Sequence, residues 1–136
     1  MYDINNIEVI PFDSHCSQTG TLFIYDTASQ VPFSIAKVFA IDCNQPCIRG
    51  NHAHRVSKQL LVCLRGRCVV VVDDGLNTKD IILSQPNVGL LIPPTLWARQ
   101  EYLIESTFMV LTDRSFDEAD YIRNYEEFIQ FRNDLT

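Results

Sequence analysis

Two of the chain's three histidines fall in the tripeptide His52-Ala53-His54. Residues two apart on a strand face the same side of a sheet, so a strand here sets two imidazoles side by side. Such a couple ligates a metal, moves protons, or simply faces water. An imidazole titrates near neutral pH, so it can both take and return a proton. A catalytic zinc or iron asks for about three protein donors, with thiolate, carboxylate or imidazole among them. The remaining histidine, His15, lies in a polar N-terminal stretch.

The elements that must position this couple read as short β-runs split by turn signals, the pattern of a sandwich or barrel. GTLFIYD (20–26) and QVPFSIAKVFAID (30–42) are the first two, and NQPCIRGN (44–51), with its proline and glycine, reads as a loop. KQLLVCL (58–64), an RGR turn and CVVVVDDG (68–75) read as a hairpin, with Asp74-Gly75 closing the next turn. KDIILSQPNVGLLIPPTLW supplies two more runs and STFMVLTD (106–113) the last strong strand. The pattern then changes. Ser115 and Glu118 have capping-box spacing, and Tyr121, Ile122, Tyr125, Phe128 and Ile129 recur at helical intervals, which predicts one or two short helices.

At 136 residues the chain is expected to form one domain, 1–136. Its 46% apolar residues suffice for a sizeable core, and a net charge of −6 removes the main reason to expect nucleic acid as a partner. No basic-then-apolar leader opens the chain, and no run is long enough to span a bilayer, so no membrane association is expected. The cysteines, 16, 43, 47, 63 and 68, are odd in number and form no C-x-x-C pair. Free thiols in a reducing cytoplasm are the expectation.

The spacing from His52-x-His54 to position 59 and on to Gly66 resembles the first motif of the cupin barrels. Metal-binding cupins carry Glu at that fifth position after the pair and a further His in a second motif. Here the positions hold Gln59 and, in Gly89–Gln100, Ala98. Two histidines and a neutral amide make a poor cage, which predicts no metal and leaves the imidazoles to move protons.

A more specific resemblance runs from about residue 20 to residue 131. The segments PFSIAKVFAI, RGNHAHRVSKQLLVCLRGRCVVVVDDG, GLLIPPTLW and MVLTDRSFDEADYIRNYEEF are similar to the nucleotide-sugar 3,4-ketoisomerases. The resemblance implies an all-β cupin jelly-roll barrel with short C-terminal helical segments, and a homodimer. It implies an isomerase that uses no cofactor and shifts the ketone of a dTDP-linked 4-keto-6-deoxy sugar from C4 to C3 through an enediol. By the same match His52 is the principal acid/base and His54 its partner; spacing alone does not rank them. Arg49 is a candidate for diphosphate or sugar oxygens. Gln59 is a candidate for a sugar hydroxyl, a histidine or nearby backbone. Trp97 is a candidate for stacking on thymine or packing in the core, and Arg99 for a compensating cation. Arg114 and Arg123 read as surface or dimer pairs. Two departures stand out: the family often places a tyrosine in the strand where this chain has Phe39 and Ala40, and a His or Arg followed by Glu where it has Ala98 and Arg99. Two other readings stay open here, a cupin nucleotide-sugar epimerase and a non-catalytic nucleotide-sugar-binding module.

Overall fold

The computed structural model describes residues 1–136. In chain order the strands are β1 (Glu8–Pro11), β2 (Ser14–Ser17), β3 (Gly20–Phe23), β4 (Lys37–Cys43), β5 (Cys47–His54) and β6 (Gln59–Arg65). They continue as β7 (Cys68–Asp73), β8 (Thr78–Leu83), β9 (Val88–Ile92), β10 (Trp97–Tyr102), β11 (Ser106–Thr112) and β12 (Tyr121–Ile122), before one helix, α1 (Tyr125–Asp134). Two five-stranded antiparallel sheets face each other, in the orders β1-β9-β6-β11-β4 and β12-β5-β10-β7-β8. This is the cupin jelly roll that the sequence resemblance implied.

The chain alternates between the sheets, and that corrects one expectation. KQLLVCL and CVVVV are not a hairpin: β6 pairs with β9 and β11, whereas β7 pairs with β10 and β8. The RGR turn is a corner that carries the chain from one sheet to the other. Gly66 makes the corner at φ +96°, and a Cβ there would lie 2.2 Å from the Ser106 hydroxyl. The hairpin in this region is β7–β8, through the expected Asp74-Gly75 turn.

Residues pointing between the sheets form the main core, with Leu61, Cys63, Val70, Val72, Leu90, Phe108 and Val110 nearly inaccessible to water. Each outer face also has a cover. Val31, Phe33 and Ile35 lie over the outside of the first sheet against Leu60, Val62 and Leu111, so only 37–43 of the run expected over 30–42 is strand. Helix α1 covers the outside of the second sheet, where Phe128 meets Ala53, Trp97 and Ile122.

The C-terminal region differs from its sequence reading. Asp117, not Ser115, caps a single helical turn at Glu118–Asp120, and Asn124 caps α1 by accepting from the Glu127 N–H. Tyr121 and Ile122 lie in a strand, paired with His54 and Ala53. The apolar stripe thus begins in β12 and continues in α1, and the tertiary pairing overrides the helical period.

Candidate active site

The site grows out of β5, part of which was expected to be loop. Cys47–His54 is continuous strand, and its Gly50 and Asn51 take φ +85° and +56°. They form a bulge: on β10, Ala98 pairs with His52 and Arg99 with Gly50, so Asn51 is the extra residue. Residues three apart on a regular strand face opposite sides. Here the inserted residue restores the phase, and Arg49, opposite Gln100, comes to the same side as His52 and His54. The close backbone approach explains the glycine, since a Cβ on Gly50 would meet the Ala98 carbonyl at 3.2 Å and Gln100 Oε1 at 3.3 Å.

A mouth of about 450 Å³ opens over this face, lined by Arg49, His52, Phe39, Ile41, Tyr121 and Arg123 among others. That volume falls within the usual range for small-molecule sites. The His52 ring lies 5.0 Å from that of His54, edge to face, and 5.0 Å from that of Tyr121. Burial, reinforced by the neighbouring imidazole, pushes the His52 pKa down to about 4. At neutral pH it is therefore an uncharged base facing the mouth.

His54 is held quite differently. Its Nδ1 lies 2.7 Å from Asp120 Oδ2 and its Nε2 2.9 Å from the Gln59 amide nitrogen. A carboxylate accepts, so Nδ1 carries the hydrogen, and Nε2 accepts from Gln59. Both ring nitrogens are thus engaged. Burial lowers the His54 pKa despite the carboxylate, so the contact is a neutral imidazole on an anion. Burial works against the Asp120 charge, but hydrogen bonds from Ser57, His54 and the Val56 N–H outweigh it and lower the pKa.

The structure brings Arg49, His52 and His54 together, with Gln59 behind His54 rather than in the mouth. It does not bring Trp97 or Arg99 there. Trp97 is 7% exposed on the outer face of β10, against the rings of Tyr125 and Phe128, so it is core of the helix layer and not a stacking platform. Arg99 alternates to that same outer face and pairs with Glu101 at 2.9 Å. Phe39 does face the mouth, in the strand where the family often has a tyrosine.

Sequence reasoning missed Asp120, Tyr121 and Arg123 as site residues. Tyr121 stands across the strand from His54, its ring 4.4 Å away. The Arg123 guanidinium also lines the mouth, 4.3 Å from the Tyr121 ring centre, and grips Glu118 with two bonds of 2.7 and 2.9 Å. A signal was available: Tyr121 and Arg123 flank Ile122 at the period of a strand, but the longer helical stripe masked it.

For a metal the donors do not fit. No three His, Cys, Asp or Glu side chains converge on a common point, and both ring nitrogens of His54 are already engaged, one by Asp120 and one by the Gln59 amide.

The comparisons with known proteins agree with the fold. The family model described as FdtA: WxcM-like, C-terminal matches residues 5–133. A TDP-4-oxo-6-deoxy-alpha-D-glucose-3,4-oxoisomerase from Aneurinibacillus thermoaerophilus is 37% identical over 126 residues, 91% of each chain. A solved 3,4-ketoisomerase from Helicobacter canadensis superposes with a TM-score of 0.90 at 33% identity, covering 95% of this chain and 98% of that one. A histidine-to-asparagine variant of the 3,4-ketoisomerase QdtA from Thermoanaerobacterium thermosaccharolyticum, in complex with TDP-4-keto-6-deoxyglucose, superposes with a TM-score of 0.91 at 29% identity, covering 97% of both. With a jelly roll, an uncharged histidine in its mouth and a family match across nearly its whole length, the chain belongs to the FdtA, WxcM-like sugar 3,4-ketoisomerase family.

Proposed function

We propose that this chain is a metal-independent isomerase that moves the ketone of a dTDP-linked 4-keto-6-deoxyhexose from C4 to C3. The observation that carries this reading is His52: a neutral imidazole tied to the Gly50 backbone and to no side chain, facing a mouth flanked by two arginines. A ketone at C4 acidifies the C3 hydrogen. His52 takes that proton, the electron pair moves into a C3–C4 double bond, and negative charge gathers on the C4 oxygen. Arg49 and Arg123 oppose that charge in a half-buried site, and Arg49 has the fork geometry to take a diphosphate oxygen instead. Delivery of a proton to C4 from the His52 imidazolium, which exchanges with solvent, together with passage of the C3 hydroxyl proton to the C4 oxygen, leaves the ketone at C3. His54, locked by Asp120 and Gln59, forms the wall that keeps His52 desolvated and uncharged.

The deciding experiment is incubation with dTDP-4-keto-6-deoxyglucose in deuterated water, followed by NMR. The expected product carries a ketone at C3 and deuterium at C4. Exchange at carbon without ketone movement would instead identify an epimerase, and binding with no exchange a carrier module.

The reading extends to a cytoplasmic homodimer whose product feeds a 3-amino sugar for a surface polysaccharide. All five cysteines are free thiols, as a reducing compartment requires, and no helix is long and apolar enough to cross a membrane. The β2–β3 hairpin supports the dimer. Its strands pair only with each other, and Leu22 within it is 60% exposed. A lone two-stranded hairpin is marginal in water, so it needs a surface to lie on, and a second copy supplies one. Light scattering on the purified protein is expected to give twice the chain mass; a monomer at micromolar concentration removes the dimer from the proposal.

A further inference from the structure

Four of the five cysteines gather at one end of the barrel. Cys43 and Cys63 lie on the first sheet, opposite Ser106 and Phe108 of β11, while Cys47 and Cys68 flank Tyr102 of β10 on the second. They are not equivalent. Cys63 donates to the Arg65 carbonyl at 3.4 Å, and burial raises the Cys68 thiol to about 12. Cys16, the fifth, is alone on the β2–β3 hairpin. Only Cys43 and Cys47 share a sulfur-to-sulfur hydrogen bond, with their Sγ atoms 3.5 Å apart. Cys43 is buried, whereas Cys47 is half-buried beside the exposed loop 44–46 and can be reached from solvent.

We propose that Cys43 and Cys47 form a reversible disulfide when the protein meets a peroxide, and that this bridge narrows the mouth and weakens ligand binding there. The fold couples the two events. Strands β4 and β5 belong to opposite sheets and do not pair, and the mouth opens between Phe39 and Ile41 of the one and Arg49 of the other. Cys43 lies two residues after Ile41 and Cys47 two residues before Arg49, so each thiol shares a face with a residue of the mouth. At this end only the loop 44–46 joins the strands. To bond, the sulfurs must close from 3.5 Å to about 2.05 Å. Pro46 stiffens the short loop, so the ends of β4 and β5 move with them. The chemistry balances with one peroxide. The accessible Cys47 sulfur attacks the O–O bond, an S–O bond forms, and water leaves. Burial and the bond from Cys47 hold the Cys43 thiol protonated, while the Arg49 charge offsets part of that and favours the thiolate. The Cys43 sulfur then displaces the oxygen from Cys47 as a second water. Two thiols give up two electrons, and a dithiol returns them by exchange. A bridge closing so short a loop gains little from chain entropy, which keeps it reducible.

The test treats the whole protein with hydrogen peroxide, blocks the remaining thiols, and reads one sample three ways. Trypsin releases residues 38–49 as a single peptide holding both cysteines, and its mass should be lower by two hydrogens, with neither thiol blocked. Binding of thymidine diphosphate, measured by calorimetry, should weaken by about tenfold or more, and isomerisation should fall with it. A displacement of about 1 Å at a site can cost about 10²-fold. Dithiothreitol should restore both. Cys47→Ser should match the reduced wild type in binding and turnover and keep both after peroxide. Should that variant fold poorly, Cys43→Ala is expected to behave in the same way. Oxygen added at Cys16 or Cys47 without a bridge within 38–49 overturns the proposal. A bridge that leaves binding and turnover unchanged overturns it too, as does equal loss of activity in Cys47→Ser. Failure of the ketoisomerase reading looks different: the reduced protein then neither isomerises nor binds thymidine diphosphate. That result removes the control of the site, while the peptide mass still decides whether the bridge forms.

Discussion

His52 and His54 are the same residue type two positions apart, and their surroundings divide the work between them. A carboxylate and an amide hold both nitrogens of His54, which fixes the tautomer and makes it a poor proton carrier. His52 has only a backbone partner, at Gly50, and burial makes it a weak base that is neutral throughout the physiological range. A base must be unprotonated to act, so the logarithm of kcat/KM should be flat from pH 6 to 8 and fall with decreasing pH only near His52's own value of about 4. His52→Asn should lower kcat by about 10² to 10⁴-fold with little change in nucleotide binding. An acid limb near the ordinary histidine value would mean that the ring is wetter than its burial implies, and steady-state assays across that range decide it.

At the scale of elements, the bulge in β5 organises the site. Strand alternation alone read His52 and His54 correctly as a same-face pair, since it needs nothing beyond a period of two. It could not reach Arg49, three residues upstream, because an inserted residue reverses the phase and only the partner strand reveals the insertion. The misread RGR hairpin has a related cause: a tight turn between two apolar runs looks the same whether the strands pair or part into opposite sheets. Trp97 was ambiguous for want of depth, as the sequence does not say which face of β10 meets α1. Asp120 and Tyr121 were hidden because their contacts with His54 span 66 and 67 residues of chain. What local periodicity carries was legible, and what long-range pairing decides was not. The bulge makes its own prediction. Gly50→Ala forces a side chain into a left-handed backbone already in contact with β10, and should cost about 1–2 kcal/mol of stability. The variant should also bind thymidine diphosphate more weakly as Arg49 swings out of phase. Denaturant midpoints and calorimetry on the one variant read both effects; a stable protein with full affinity would show that the bulge is incidental.

For the whole molecule, the site taxes the fold, because a neutral imidazole buried at the barrel mouth is stable only while it stays uncharged. The sign follows from proton counting. The His52 pKa is lowered in the folded state, to about 4, from an ordinary 6.5 in the unfolded chain. Between those values the unfolded chain binds the extra proton and the native chain does not, so stability falls as pH falls through that window. From pH 7 to pH 5 the loss from His52 alone is about 2 kcal/mol, a sizeable part of a small domain's total stability. His54, lowered by burial as well, adds in the same direction, whereas Asp120, lowered below the ordinary carboxylate value of 3.8, contributes fully above that value and loses its contribution as pH falls below it. Urea titrations at the two pH values should therefore show the midpoint dropping for the wild type and dropping markedly less for His52→Asn, which has no proton to bind at that position. If the two proteins lose stability in parallel, the imidazole is already hydrated in the native state. The base would then have no reason to stay neutral below pH 6, and the mouth of the barrel would not be the dry site that carbon-acid chemistry requires.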